Sequence, residues 1–325
     1  MESIGNWWMW AGFALFVVAA CAVDLLVLQR HGAARVSMGQ ALRWSALWVA
    51  LALLFNALLW WYLDTQTTRA LANQKAAEFF TGYLIEKSLA VDNIFVFLML
   101  FTYFSIPAAL QKRVLILGVI GAIVLRAVMI LIGAWLIQEF HWVLYIFGAF
   151  LLITGIKMLV FAQSEANLEN NPVLRWMRQH INLTTEFDGE KFWIDRTATR
   201  VYTPLFAVMI LIGITDVVFA VDSIPAIFAI TQDPFIVMTS NIFAILGLRA
   251  MYFLLADLKE RFHLLTYGLG VILVFVGTKM LIVDWIKIPV GWSLVAVGAV
   301  LAASMVASVL TTRKVQSHVA ASLRA

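Results

Sequence analysis

Apolar residues run along this chain in long unbroken stretches, with polar residues gathered into short segments between them. Nine stretches reach the length of about 20 residues that an α-helix needs to cross the hydrocarbon of a bilayer. They lie at about 7–28, 42–63, 77–104, 114–137, 142–162, 202–230, 236–256, 264–284 and 290–310. The pattern predicts an all-α polytopic membrane protein of about nine transmembrane helices. One connection is long, 163–201, and within it Val173 to Ile181 reads as a short amphipathic helix.

Composition agrees with lipid as the solvent. With 63% of 325 residues hydrophobic and only 13% charged, there is more apolar surface than one water-soluble core can hide. The amino-terminal Met1-Glu2-Ser3-Ile4 lacks a basic n-region, so the first stretch reads as a retained span and not a cleaved signal peptide. A lone cysteine, Cys21, rules out an internal disulfide or a multi-cysteine metal cluster. The net charge of +4 is too small and too scattered to suggest a nucleic-acid partner. Its distribution is informative. Fifteen lysines and arginines, among them Arg30, Arg43, Lys112, Arg113, Arg175, Arg178 and Lys259, fall on one side of the nine stretches, against Arg69, Lys75 and Lys287 on the other. That bias predicts an amino terminus outside and a carboxyl terminus in the cytoplasm, in the inner (plasma) membrane.

The chain also repeats itself. Leu84-Ile85-Glu86-Lys87-Ser88-Leu89-Ala90-Val91-Asp92-Asn93 aligns with Ile214-Thr215-Asp216-Val217-Val218-Phe219-Ala220-Val221-Asp222-Ser223, acid on acid twice at one spacing. Leu125-Arg126-Ala127 then matches Leu248-Arg249-Ala250, and Gly155-Ile156-Lys157-Met158-Leu159 matches Gly277-Thr278-Lys279-Met280-Leu281. The repeat is three spans long, and an odd number forces the copies into opposite orientations, as in many secondary transporters. The predicted organisation is therefore two accessory helices in 1–76, a first copy in 77–162, a cytoplasmic loop in 163–201, an inverted copy in 202–284, and a last span with a cytoplasmic tail in 285–325.

Glu86, Asp92, Asp216 and Asp222 fall near the middle of their stretches, where an ionised carboxylate costs at least about 2.5–3.5 kcal/mol. Lys87, Arg126 and Arg249 also lie at depth, as charge-compensating or coupling residues. Ion pairs that merely cross-link the bundle are the alternative, although apolar packing meets that role at lower cost. Residues six apart point about 120° away from each other, so both acids of a pair share a site only where the helix breaks or the cavity is wide. Pro225, Gly82 and Gly213 are candidate breakers, and a break frees carbonyl oxygens as cation ligands.

The histidines, His31, His141, His180, His263 and His318, all fall in or beside loops. Midplane ligands are then oxygens, which makes Glu86, Asp92, Asn93, Asp216, Asp222 and Ser223 the candidate metal set. Hard divalent ions such as manganese, magnesium or calcium match it, and a sodium or proton carrier is also compatible. Asn56 and Asn241 are further mid-membrane amides, suited to interhelical hydrogen bonds or to transport. An enzyme is not expected, because Cys21, Ser88 or Ser223 would lack a histidine at depth to activate it. No prosthetic group is called for.

At these motifs the sequence resembles the TerC family of integral membrane proteins, in particular its Alx branch. The likeness is carried by Glu86 to Asn93, by Asp216 to Ala226, and by Ser240-Asn241-Ile242-Phe243-Ala244-Ile245-Leu246-Gly247-Leu248-Arg249-Ala250-Met251-Tyr252, and it covers most of the chain. The resemblance implies nine spans and export of manganese (Mn2+), with the acids of the two motifs as metal ligands. In one departure, Gly213 stands where the family carries a glutamate one turn before Asp216. A role in membrane-protein assembly, as a scaffold without transport, is the competing expectation. It would survive neutralisation of Asp92 and Asp222.

Overall fold

The computed structural model describes residues 3–31, 38–140, 142–160, 172–196, 199–256, 264–286 and 288–322. The chain is mostly helical: α1 (Trp7–His31), α2 (Met38–Gln66), α3 (Arg69–Tyr103), α4 (Ala108–Glu139), α5 (Val143–Val160), α6 (Pro172–His180), α7 (Pro204–Phe228), α8 (Pro234–Leu246), α9 (Leu248–Ala256), α10 (Leu265–Leu281) and α11 (Val290–Ser322). Five helices, from the α2, α4, α5, α7 and α11 segments, are long and apolar enough to cross a membrane among the described residues. The helix α3 spans 35 residues but carries Lys75, Glu78, Glu86, Lys87 and Asp92.

Local chemistry sets several boundaries. Thr68 caps α3 by accepting a hydrogen bond from the Leu71 amide at 3.3 Å, and Asp233 caps α8 through Phe235 N–H at 3.0 Å. Pro204 and Pro234 occupy the first turns of α7 and α8, where no amide partner is required. The predicted amphipathic segment is α6, which buries Leu174 and Met177.

Two expectations need correction. The breaks foreseen around Gly82, Gly213 or Pro225 are absent: α3 runs unbroken from Arg69 to Tyr103 past Gly82, and α7 from Pro204 to Phe228, with Pro225 in its last turn. The interruption lies instead in the 236–256 stretch, at Gly247 between α8 and α9. The all-α expectation also misses a hairpin, β1 (Trp193–Arg196) with β2 (Thr199–Tyr202), antiparallel with Asp195 opposite Arg200. It is held by the Arg200 Nε to Asp195 Oδ1 bond at 3.2 Å and by the guanidinium lying 5.3 Å from the Trp193 ring centre.

Helix α8 is buried along its whole length, from Phe235 to Leu246, with α3 and α4 packed against it. Burial on all sides explains why this helix of 13 residues carries no charged side chain. Phe13 of α1, Phe55 of α2, Phe79 of α3 and Phe243 of α8 form one aromatic cluster, with Phe55 and Phe243 rings 4.9 Å apart. The cluster fastens the first two helices to this core.

Helices α5 and α10 meet through glycines. A Cβ on Gly148 would lie 3.1 Å from the Gly277 carbonyl, and one on Gly155 would lie 2.8 Å from the Gly270 carbonyl. The low-numbered glycine of one helix faces the high-numbered glycine of the other, so the pair is antiparallel with backbones in contact. Gly277→Ala, whose Cβ would fall 2.7 Å from the Leu152 nitrogen, is expected to cost about 1–3 kcal/mol. Thermal unfolding in detergent should show the loss. Gly121→Ala, with nothing within 4 Å, should leave the melting temperature unchanged or raised.

Candidate functional site

Helices α3 and α7 cross antiparallel, which brings residues of the two aligned motifs together. Thr231 Oγ1 donates to Glu78 Oε2 at 2.6 Å, and a Cβ on Gly82 would lie 3.2 Å from Ile227. Further along, the Ser223 hydroxyl faces Glu86. Into this crossing α4 sends Arg126, which is 1% exposed.

Arg126 is a bridge. One terminal nitrogen donates to Glu86 Oε1, and also lies 3.2 Å from Ser223 Oγ and 3.2 Å from Asn241 Oδ1. The other donates to Asp216 Oδ1 at 3.2 Å. Asn241 of α8 completes the ring, its Nδ2 donating to Glu86 Oε2 at 3.3 Å. Two carboxylates on one guanidinium leave one negative charge uncompensated if both acids are ionised. A buried pair is stable only when further hydrogen bonds satisfy it, and Asn241 and Ser223 supply them.

At this centre three buried polar atoms nonetheless lack a partner among the described residues: Asp216 Oδ2, Asn93 Oδ1 and Arg126 Nε. Asn93, Asp216 and Arg126 all line one small cavity of about 10 Å³, closed otherwise by apolar side chains such as Phe97 and Ile212. That is room for about one small atom or water. Orphaned oxygens beside a cavity of atomic size are the arrangement an oxygen-coordinated cation would complete. Among the described residues no three His, Cys, Asp or Glu side chains stand close enough to hold a metal by themselves, so any cation here needs amide or hydroxyl oxygens as well.

Of the sequence-predicted site residues, Glu86, Asn93, Asp216, Ser223 and Arg126 come together. Asp222 does not join them. It lies half-buried on another face of α7, accepting from Thr154 Oγ1 of α5 at 3.3 Å, as the turn between residues six apart requires. The side chains of Asp92 and Arg249 lie outside the described residues, as do His141 and His263. Lys87 donates at 3.0 Å to the carbonyl of Ala244, in the last turn of α8, where the break at Gly247 has removed the helical partner. An ammonium at a helix carboxyl end is favourable. Two participants were not in the predicted set. Asn241 was legible as a mid-membrane amide suited to an interhelical hydrogen bond or to transport, but without a named partner. Glu78 accepts from Gln74 at 2.8 Å and Lys75 at 2.9 Å, and its one signal was an acid at the outer end of the third stretch.

The fold and this charged centre define a multi-pass integral membrane protein. The chain belongs to the integral membrane protein TerC family, which it matches over residues 71–317. A relative from Escherichia coli K12, provisionally named membrane-bound redox modulator Alx, is 57% identical over 301 residues, covering 93% of this chain and 94% of that one. A protein of the same name from Salmonella typhi is 55% identical, covering 94% of this chain and 95% of its own. An uncharacterized membrane protein of Rickettsia bellii is 40% identical, covering 93% and 97%. No solved structure matches the chain.

Proposed function

We propose that this protein is a divalent cation transporter that exports Mn2+ from the cytoplasm by alternating access. One observation carries the reading: the equivalent acids of the two motifs, Glu86 and Asp216, converge on Arg126 beside the unpartnered oxygens of Asp216 and Asn93. A doubly charged ion there would replace the guanidinium as the counter-charge of both carboxylates. Oxygen ligands favour manganese, magnesium or calcium over thiolate-seeking metals. Asp92 and Asp222 act on the same ion at other stages of its passage.

The reading includes an inverted repeat of α3–α5 and α7–α10 within nine spans, with α8 and α9 together forming one span. The antiparallel Gly148–Gly277 and Gly155–Gly270 contacts support it, because Gly155 and Gly277 are aligned positions of the two copies. The excess of basic residues supports an amino terminus outside and a carboxyl terminus in the cytoplasm of the inner membrane. The redox name of the relatives fits control of a redox-active ion better than thiol exchange, since a chain with one cysteine has no internal dithiol.

The test is uptake of manganese, magnesium, calcium and zinc into inside-out vesicles. Manganese should accumulate, and Asp216→Asn should lower its uptake at least about tenfold, the effect of one lost charge-assisted contact. Uptake that ignores Asp216, or zinc transported in preference, defeats the reading. Membrane-protein assembly that depends on the protein and is left intact by Asp216→Asn, with no manganese uptake in the wild type, would favour the scaffold role.

A further inference from the structure

We infer that Asp233 is the latch of an outer gate, tying the amino-terminal segment across the outer ends of α3 and α8. The inference rests on the proposed orientation and transport cycle. Its evidence lies away from the Arg126 centre.

Asp233 is 6% exposed and its two oxygens have different duties. Oδ1 accepts from the Phe235 amide, capping α8, and from Ser3 Oγ, both at 3.0 Å. Oδ2 accepts from the Ile4 amide at 3.0 Å and faces Lys75 Nζ at 3.9 Å. Lys75 in turn reaches Glu78 at 2.9 Å, and Glu78 holds Thr231. Four pieces of chain, the amino-terminal segment, α3, the α7–α8 turn and α8, are thus joined through two buried carboxylates. The segment is also pressed onto α8, since a Cβ on Gly5 would stand 2.9 Å from Phe235.

Space along the α3–α7 crossing is distributed unevenly. Between this network and Glu86 the helices are in tight contact: a Cβ on Gly82 would lie 2.9 Å from Ser240 Oγ and 3.2 Å from Ile227. The cavity beside Arg126 lies toward Asn93 and Phe97, on the other side of Glu86 along α3. The helices are therefore closely packed on the side of the latch, and in the proposed cycle a cation leaving outward must wait for the network to part.

The two duties of Asp233 make the latch separable from the cap. In Asp233→Asn the side-chain carbonyl still caps α8, but an NH2 group replaces Oδ2 and meets two donors, the Ile4 amide and the Lys75 ammonium. The reporter is Ser240→Cys, nearly isosteric and fully buried, in a Cys21→Ala background. The probe is a membrane-impermeant charged methanethiosulfonate, applied either to intact spheroplasts or to inside-out vesicles.

With Asp233 intact the reporter should label slowly from outside. Asp233→Asn should raise the outside rate about tenfold, and Ser3→Ala, which leaves α8 untouched, should raise it less. An unchanged rate in both variants overturns the inference. So does a rise confined to Asp233→Ala, which would assign the effect to the lost cap, or a rise equal from both sides. Faster labelling in a protein that moves no manganese would keep the latch and sink the transport reading.

Discussion

Arg126→Gln should bind manganese at least as tightly as the wild-type protein and transport it at least about tenfold more slowly. The guanidinium holds Glu86 and Asp216 at once, so it occupies the same oxygens a metal would use and competes with it. Removing it frees both carboxylates for the ion. The empty carrier, however, then contains two acids with no counter-charge deep in the bilayer, and reorienting that state is costly. Arginine cannot escape the competition by losing its proton. Equilibrium binding in detergent and initial rates in proteoliposomes separate the two effects. Weaker binding with normal turnover would mean that Arg126 supports the site without exchanging with the ion.

Glu86→Gln should abolish metal uptake and also lower stability, by about 1.5–3 kcal/mol for the charged hydrogen bond it weakens. The loss arises because Arg126, 1% exposed, is left with Asp216 as its single anionic partner. The double variant Glu86→Gln/Arg126→Gln removes the pair but leaves Asp216 without its counter-charge. Its loss of stability in detergent should be smaller than the sum of the two single losses, while uptake stays absent. Two additive losses of stability would show that the pair is not coupled, contrary to its geometry.

The pairing of Glu86 with Asp216 was legible in the sequence, because ionisable residues are rare in apolar stretches and two aligned motifs carried them at one spacing. That a deep arginine, Arg126 or Arg249, would hold one of these acids followed from the cost of an unpaired guanidinium at depth, but not which of the two. The separation of Asp222 from this centre was legible in principle from the helical turn, yet which acid of each motif would face inward depends on how α3 and α7 cross. The break at Gly247 was not readable. Proline and glycine punctuation pointed to α7, whereas the actual interruption depends on Lys87 reaching the Ala244 carbonyl and on Trp48, whose Cβ would lie 3.1 Å from a side chain at Gly247. Both partners are distant in sequence. The Trp193–Tyr202 hairpin escaped notice because four-residue strands leave too short an alternation to register beside spans of 20 residues.

The glycine contact between α5 and α10 has a mechanical consequence. Side chains that interdigitate can trade rotamers while helices slide, but two backbones already touching have no such slack. With Gly148 against Gly277 and Gly155 against Gly270, neither helix can roll or shift along the other without collision. The two helices are therefore riveted together at this seam. On the proposed transport reading, displacement comes from bending and tilting of α3, α4, α7 and the interrupted α8–α9 segment about this keel.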